Sequence, residues 1–177
     1  MRRPLITATI AAGAVLVTAL VAGPAIAAGG SGSAQGTLTA AQKTALADMA
    51  EEEKLAHDVY VKLYSVNGDS RFSRISESES SHHNAIRRLL TRYAVADPTA
   101  GQRPGVFTTP AVQKLYNYLV ARGDDSLSAA LAVGRDIERM DIADLAKAAE
   151  TVTAPDVLAV YDNLSRGSQN HLRAFGG

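Results

Sequence analysis

From Leu38 to the C-terminus, apolar residues recur at every third or fourth position between short polar breaks, and they never alternate over a useful length. A period near 3.6 marks amphipathic helices, whereas alternation would mark strands, so the pattern predicts an all-α domain without a sheet. Thr39 stands where it can cap a first helix running to about Val66 and ended by Asn67-Gly68. A second helix runs from about Phe72 to Tyr93, before Asp97-Pro98. Residues 97–109, rich in Pro, Gly and Thr, read as a loop. Pro110 opens a short helix that ends near Arg122-Gly123. Ser126 caps a third long helix reaching about Ala149; Thr153 or Ala154, with Pro155 at the first position, opens a last one towards Phe175. No internal repeat of solenoid period is present.

The connections then constrain the topology. Short links join the first long helix to the second and the third to the fourth, while the long link falls in the middle. A long middle crossover makes the second and third long helices parallel. That is the ferritin-like four-helix bundle with one crossover, here carrying a short extra helix.

The N-terminal segment has a different character. Met1-Arg2-Arg3 is a positive start, Leu5 to Val21 is uncharged and mostly apolar, and Pro24 precedes Ala25-Ile26-Ala27. These are the parts of a signal peptide over residues 1–27, cleaved after Ala27 and destined for secretion or the cell envelope. The rival reading is an uncleaved anchor, since the apolar run approaches the ~18 residues of a membrane span. With no Cys in the chain, a lipoprotein anchor is excluded, as are disulfides, thiolate metal sites and cysteine nucleophiles. Residues 28–37, with the run AGGSGSAQG, read as a flexible linker, and residues 38–177 as the folded domain. The chain carries 18 Lys+Arg against 18 Asp+Glu, a balance that argues against nucleic-acid binding. Membrane contact is expected only through the signal peptide during export.

Candidate chemistry lies in the residues that interrupt the apolar stripes. At about 100° per residue, the first helix turns Leu46, Met49, Ala56, Tyr60 and Leu63 inward. Glu53 falls inside that stripe, Glu52 at its shoulder, and Glu51 nearly opposite. The second stripe is Phe72, Ile75, Ile86, Leu89, Leu90 and Tyr93, with Glu79 at its centre, His82 one turn on and His83 beside it. Glu77 faces the other way. The third helix buries Leu127, Leu131, Gly134, Ile142 and Leu145 around Glu138, with Asp141 one turn further. The fourth presents Val157, Val160, Leu164 and Phe175, with His171 among them. A lone carboxylate in an apolar core costs several kcal/mol. Three carboxylates and two imidazoles converging without an inward Lys or Arg call for a cation. Ligands of this kind without sulfur suit iron or manganese, and zinc less specifically.

These residues also carry a resemblance. Glu53 through Tyr60 is similar to the Glu-x6-Tyr segment of ferritin and rubrerythrin first helices, and ISESESSH (Ile75 to His82) resembles the rubrerythrin motif ending in Glu-x-x-His. Together, EEEKLAHDVY, SESESSHHNAI, DIERMDIADL and GSQNHLRAF resemble the bacterial and archaeal ferritin-like family catalogued as domain of unknown function 2202, over Leu38 to Phe175. The resemblance implies a ferritin-like bundle with a dinuclear iron centre held by Glu53, Glu79, His82, Glu138 and His171. It implies no particular reaction. The sequence departs at Ser168, where the rubrerythrin pattern has the Glu of a second Glu-x-x-His; Asp141 or a water is the candidate substitute. Gly167-Ser168 is also a candidate break or kink in the last helix.

Weaker signals surround this set. His57 and His83 are either second-layer partners or solvent-facing, and Tyr60 either hydrogen-bonds a ligand or is a core tyrosine. Arg87-Arg88 reads as a solvated face. Neither a Gly-x-Ser-x-Gly elbow nor a phosphate-cradling loop is present. The expectation is an exported nonhaem protein with two iron ions, manganese being the alternative metal. Oxygen, peroxide or ferrous iron would be its substrate in an oxidoreductase role. From a different class comes the alternative of a metal-poor structural or interaction module of the cell envelope. Metal ions are the expected partners, with a homodimer as the candidate assembly.

Overall fold

The computed structural model describes residues 34–177. The expected signal peptide, residues 1–27, and most of the expected linker lie outside the described residues. Five helices follow one another: α1 (Ala40–Asn67), α2 (Ser70–Arg92), α3 (Pro110–Gly123), α4 (Leu127–Ala149) and α5 (Pro155–Ala174). Among the described residues there is no strand, and no helix is long and apolar enough to cross a membrane.

The helix ends follow from local chemistry. Thr39 caps α1 in a reciprocal box: its hydroxyl accepts from the Gln42 amide at 3.3 Å, and the Gln42 side chain accepts from the Thr39 amide at 2.8 Å. Gly68 ends α1 at φ 71°, a left-handed position that favours glycine. The second helix begins two residues before Phe72, because the Asp69 carboxylate accepts from the Arg71 amide and becomes the cap. Ser126 caps α4 by accepting from the Ala129 amide. Pro110 and Pro155 open α3 and α5, where a missing N–H costs nothing.

The helices form a bundle in which α1 packs on α2, α3 and α4, while α5 packs on α4 and α2. Its interior holds two apolar clusters. One gathers Leu46, Ile86, Leu90, Leu145, Val157 and Leu164; the other gathers Tyr60, Leu63, Phe72, Val133, Ile137 and Phe175. Along α1 and α5 the chain passes from the first cluster to the second, and along α2 and α4 from the second to the first. The two middle long helices, α2 and α4, therefore run in the same sense.

The structure corrects three details of the pattern. On α4 the inner face is Ala130, Val133, Gly134, Ile137, Glu138 and Leu145, while Leu127 is exposed and Leu131 and Ile142 are half-buried. Gly134 explains part of this, because a Cβ there would lie 2.8 Å from the Phe175 ring, which fills the space instead. On α5 Tyr161 is the buried residue, and Val160 is only half-buried. Finally, α5 runs unbroken through Gly167-Ser168.

Candidate metal centre

Between the two apolar clusters every long helix contributes a polar side chain to one layer. Glu53 lies between Ala50 and Leu55 on α1, and Glu79 and His82 between Ile75 and Ile86 on α2. Glu138 follows Ile137 on α4, and His171 sits between Leu164 and Phe175 on α5. None of the five is more than 8 % exposed.

Their donor atoms form two groups that share one residue. His82 Nδ1 lies 2.9 Å from Glu79 Oε2 and 3.5 Å from Glu53 Oε2. His171 Nδ1 lies 2.8 Å from Glu79 Oε1 and 3.6 Å from Glu138 Oε2. Within Glu53, Glu79 and His82 the donors are all within 4.8 Å of one another, and the same holds for Glu79, Glu138 and His171. Glu79 thus turns one oxygen to each group. The two imidazoles stack, with centroids 5.5 Å apart and planes inclined by 27°.

The layer is not closed by its own hydrogen bonds. Glu53 Oε1, Glu79 Oε1 and His171 Nδ1 are buried without a hydrogen-bond partner. The 2.8 Å approach of the last two is therefore an ion-pair contact off the hydrogen-bond direction. Buried polar atoms are nearly always paired in native proteins, so Glu53 Oε1, which has no partner, and two atoms held only by an ion contact off the hydrogen-bond direction leave the layer open to a further group. A cation satisfies that geometry, since carboxylate and imidazole lone pairs can converge on it at about 2.0–2.2 Å.

Electrostatics agree with this geometry. Burial works against ionisation of Glu79, yet the imidazoles of His171 and His82 hold it down to about 2. Burial likewise opposes protonation of His82, but Glu53 and Glu79 push it up to about 10. Glu138 and Glu79 raise His171 to about 9 in the same way. Burial, then the nearby Asp141 charge, pushes Glu53 well above the carboxylate range. Burial lifts Glu138 to about 7, with the Glu79 charge adding to it. Protons balance the layer, and a cation bound there would displace them.

Other residues flank the centre. Tyr60 donates to Glu138 Oε1 at 2.7 Å, and Ser78 Oγ lies 3.0 Å from His171 Nε2. Asp141 belongs to neither donor group; its carboxylate meets the hydroxyl of fully buried Ser168, and burial lifts it to about 6. His57 and His83 are not at the centre. They line a cleft of about 380 Å³ beside residues 99–104, where His57 pairs with Asp58 at 2.9 Å and His83 with Thr99 at 2.9 Å. Ser78 escapes sequence reasoning, because its contact with His171 joins two helices 93 positions apart.

Comparison with known proteins gives the family. Residues 42–177 match an uncharacterized protein domain, DUF2202, and the chain belongs to that family. It is similar to the uncharacterized protein MJ0754 of Methanocaldococcus jannaschii, 46% identical over 134 residues that span 76% of this chain and 72% of that protein. The crystal structure of the hypothetical protein MJ0754 from Methanococcus jannaschii matches with a TM-score of 0.78 at 43% identity, covering 80% of this chain and 81% of that one.

Proposed function

We propose that the chain is an exported, ferritin-like protein whose four long helices hold a dinuclear nonhaem metal centre of oxidoreductase type. The observation that carries this reading is Glu79, whose two oxygens each face a separate histidine at 2.9 and 2.8 Å, with a further glutamate on each side. Glu53, Glu79 and His82 would hold one ion; Glu79, Glu138 and His171 would hold the other. Asp141, one turn from Glu138, is the reserve carboxylate on the side where Ser168 stands. The shared sense of α2 and α4 and the crossover containing α3 support the ferritin-like assignment. The signal-peptide pattern of residues 1–27 supports export.

Iron, or manganese in its place, would supply redox chemistry toward oxygen or peroxide, either of which would accept the electrons if ferrous iron were the substrate. The protein's own part is to bind and orient. Glu79 spans the two positions, while His82 and His171 offer Nδ1 to them. Tyr60 holds Glu138 in place through its hydroxyl, and the apolar clusters on either side limit water.

Elemental analysis of untagged protein tests this directly. Two iron or manganese atoms per chain are expected, one for each donor group. Protein that remains metal-free after exposure to ferrous and manganous ions would overturn the reading in favour of the structural or interaction module.

A further inference from the structure

The two imidazoles of the layer are held by different means. His171 has a hydrogen-bond partner for its outer nitrogen, since Ser78 Oγ lies 3.0 Å from Nε2. The only side-chain hydrogen bond of His82 among the described residues runs through Nδ1 to Glu79. Its outer edge meets Gly167 instead. A Cβ built on Gly167 would lie 2.6 Å from both Cε1 and Nε2 of His82, closer than real Cβ contacts come.

Gly167 sits inside α5, far from either end and outside the left-handed region. Nothing in its backbone calls for glycine, and glycine within a helix is less stable than alanine. The absent side chain is explained by its neighbour. The imidazole edge occupies the space a methyl group would need, and it is a rigid ring, not the end of a flexible chain.

We propose that Gly167 is a positioning residue for the metal position built from Glu53, Glu79 and His82. The slot it leaves in α5 fixes the His82 ring with Nδ1 turned to Glu79, as the Ser78 hydroxyl fixes His171 at the other position. The proposal rests on the dinuclear reading and adds an asymmetry to it. One position depends on a steric slot in α5, and the other on a hydrogen bond from α2. Changes at the two supports therefore act on different ions.

Calorimetric titration of the full chain with ferrous iron under anaerobic conditions tests this, using G167A, S78A, G167A/S78A, H82A and G167A/H82A. Wild type should take two equivalents. G167A should weaken one of them about 10–100-fold, the scale found for outer-layer partners of metal ligands, and leave the other intact. S78A should weaken the complementary one, so that G167A/S78A is impaired at both. Thermal unfolding of metal-free protein provides a second readout. G167A should lower Tm in the wild-type background and raise it in the H82A background, where the slot is empty and alanine is the better helix former. Two unchanged equivalents in G167A, or the same Tm change in both backgrounds, would overturn the proposal. Wild-type protein that takes neither ferrous nor manganous ions would overturn the dinuclear reading instead, while the pair of Tm changes would still judge the Gly167–His82 contact.

Discussion

Helix α1 buries charge on two faces, and the two are built on opposite terms. Towards α3 and the crossover, Glu51 accepts from the amides of Thr108 and Thr109 at 3.1 Å and from both hydroxyls. Beside it, Lys54 Nζ meets Asp58 at 2.5 Å and donates to the carbonyls of Arg103 and Val106, while Asp58 also accepts from Gly105. Towards the bundle interior, Glu53 has one oxygen 3.5 Å from His82 and the other without a partner. The crossover face satisfies its charges within the chain; the inner face leaves them open. A closed network of this kind fastens a loop to a helix, whereas an open one holds its groups ready for something that binds.

The sharpest way to break this comparison is Glu79→Ala. It removes the only residue common to both donor groups and leaves two imidazoles without their shared carboxylate. Metal content should fall from two ions per chain to none, while Glu77→Ala, on an exposed position of the same helix, should leave it unchanged. Full metal content in Glu79→Ala, as read by elemental analysis, would remove the inner face from the functional account.

How much of this was readable in advance differs between the two faces for a physical reason. Caps, prolines and Gly68 act within a few residues, so the helix limits follow from local sequence to within about two residues. Glu53, Glu79 and Glu138 are legible as carboxylates inside apolar stripes, because the interior they face is made by those same stripes. Glu51 is not. Periodicity assigns it to the outer face, yet it is 3 % exposed, because its cover is residues 97–109, a loop with no periodicity to announce where it lies. The inner face of α4 drifts for a related reason. Periodicity favours the large Leu127 and Ile142, but the fold packs small residues there so that Phe175 fits against Gly134.

The second test addresses the crossover face. Lys54→Met keeps the hydrocarbon stem near Phe107, whose ring centroid lies 4.3 Å from Nζ, but strands Asp58 and two carbonyls. Removing one partner of a buried pair costs about 3–5 kcal/mol. His57 and Gly105 still contact Asp58, so a loss near 3 kcal/mol is expected. Chemical denaturation should show it as a lowered midpoint, with two metal ions still bound per chain. A stable variant that loses metal would mean the two faces are not separate in function.

The smallest expected effect is a dependence on pH, and it distinguishes the faces without altering the fold. His82 and His171 have folded pKa values near 10 and 9, against 6.5 for an ordinary imidazole. Groups raised in this way stabilise the folded state fully below pH 6.5, and that contribution disappears as pH rises through 9 to 10. Glu79, held at about 2 against 4.5, behaves oppositely: its contribution is lost only as pH falls through 2, far outside this window. Asp58 on the crossover face is also held below its usual value, so it is constant above pH 5. Metal-free protein should therefore lose more Tm between pH 6.5 and 10 than Glu79→Ala does, because in that variant only Glu53 and Glu138 still face the imidazoles. Lys54→Met should show the same alkaline loss as wild type. Loading with metal should abolish it, because the ions have already displaced the imidazolium protons. Equal alkaline losses in wild type and Glu79→Ala, measured by thermal unfolding in matched buffers, would mean that the imidazoles are not paired with Glu79 in the folded chain, and the contrast between open and closed charge on α1 would lose its electrostatic basis.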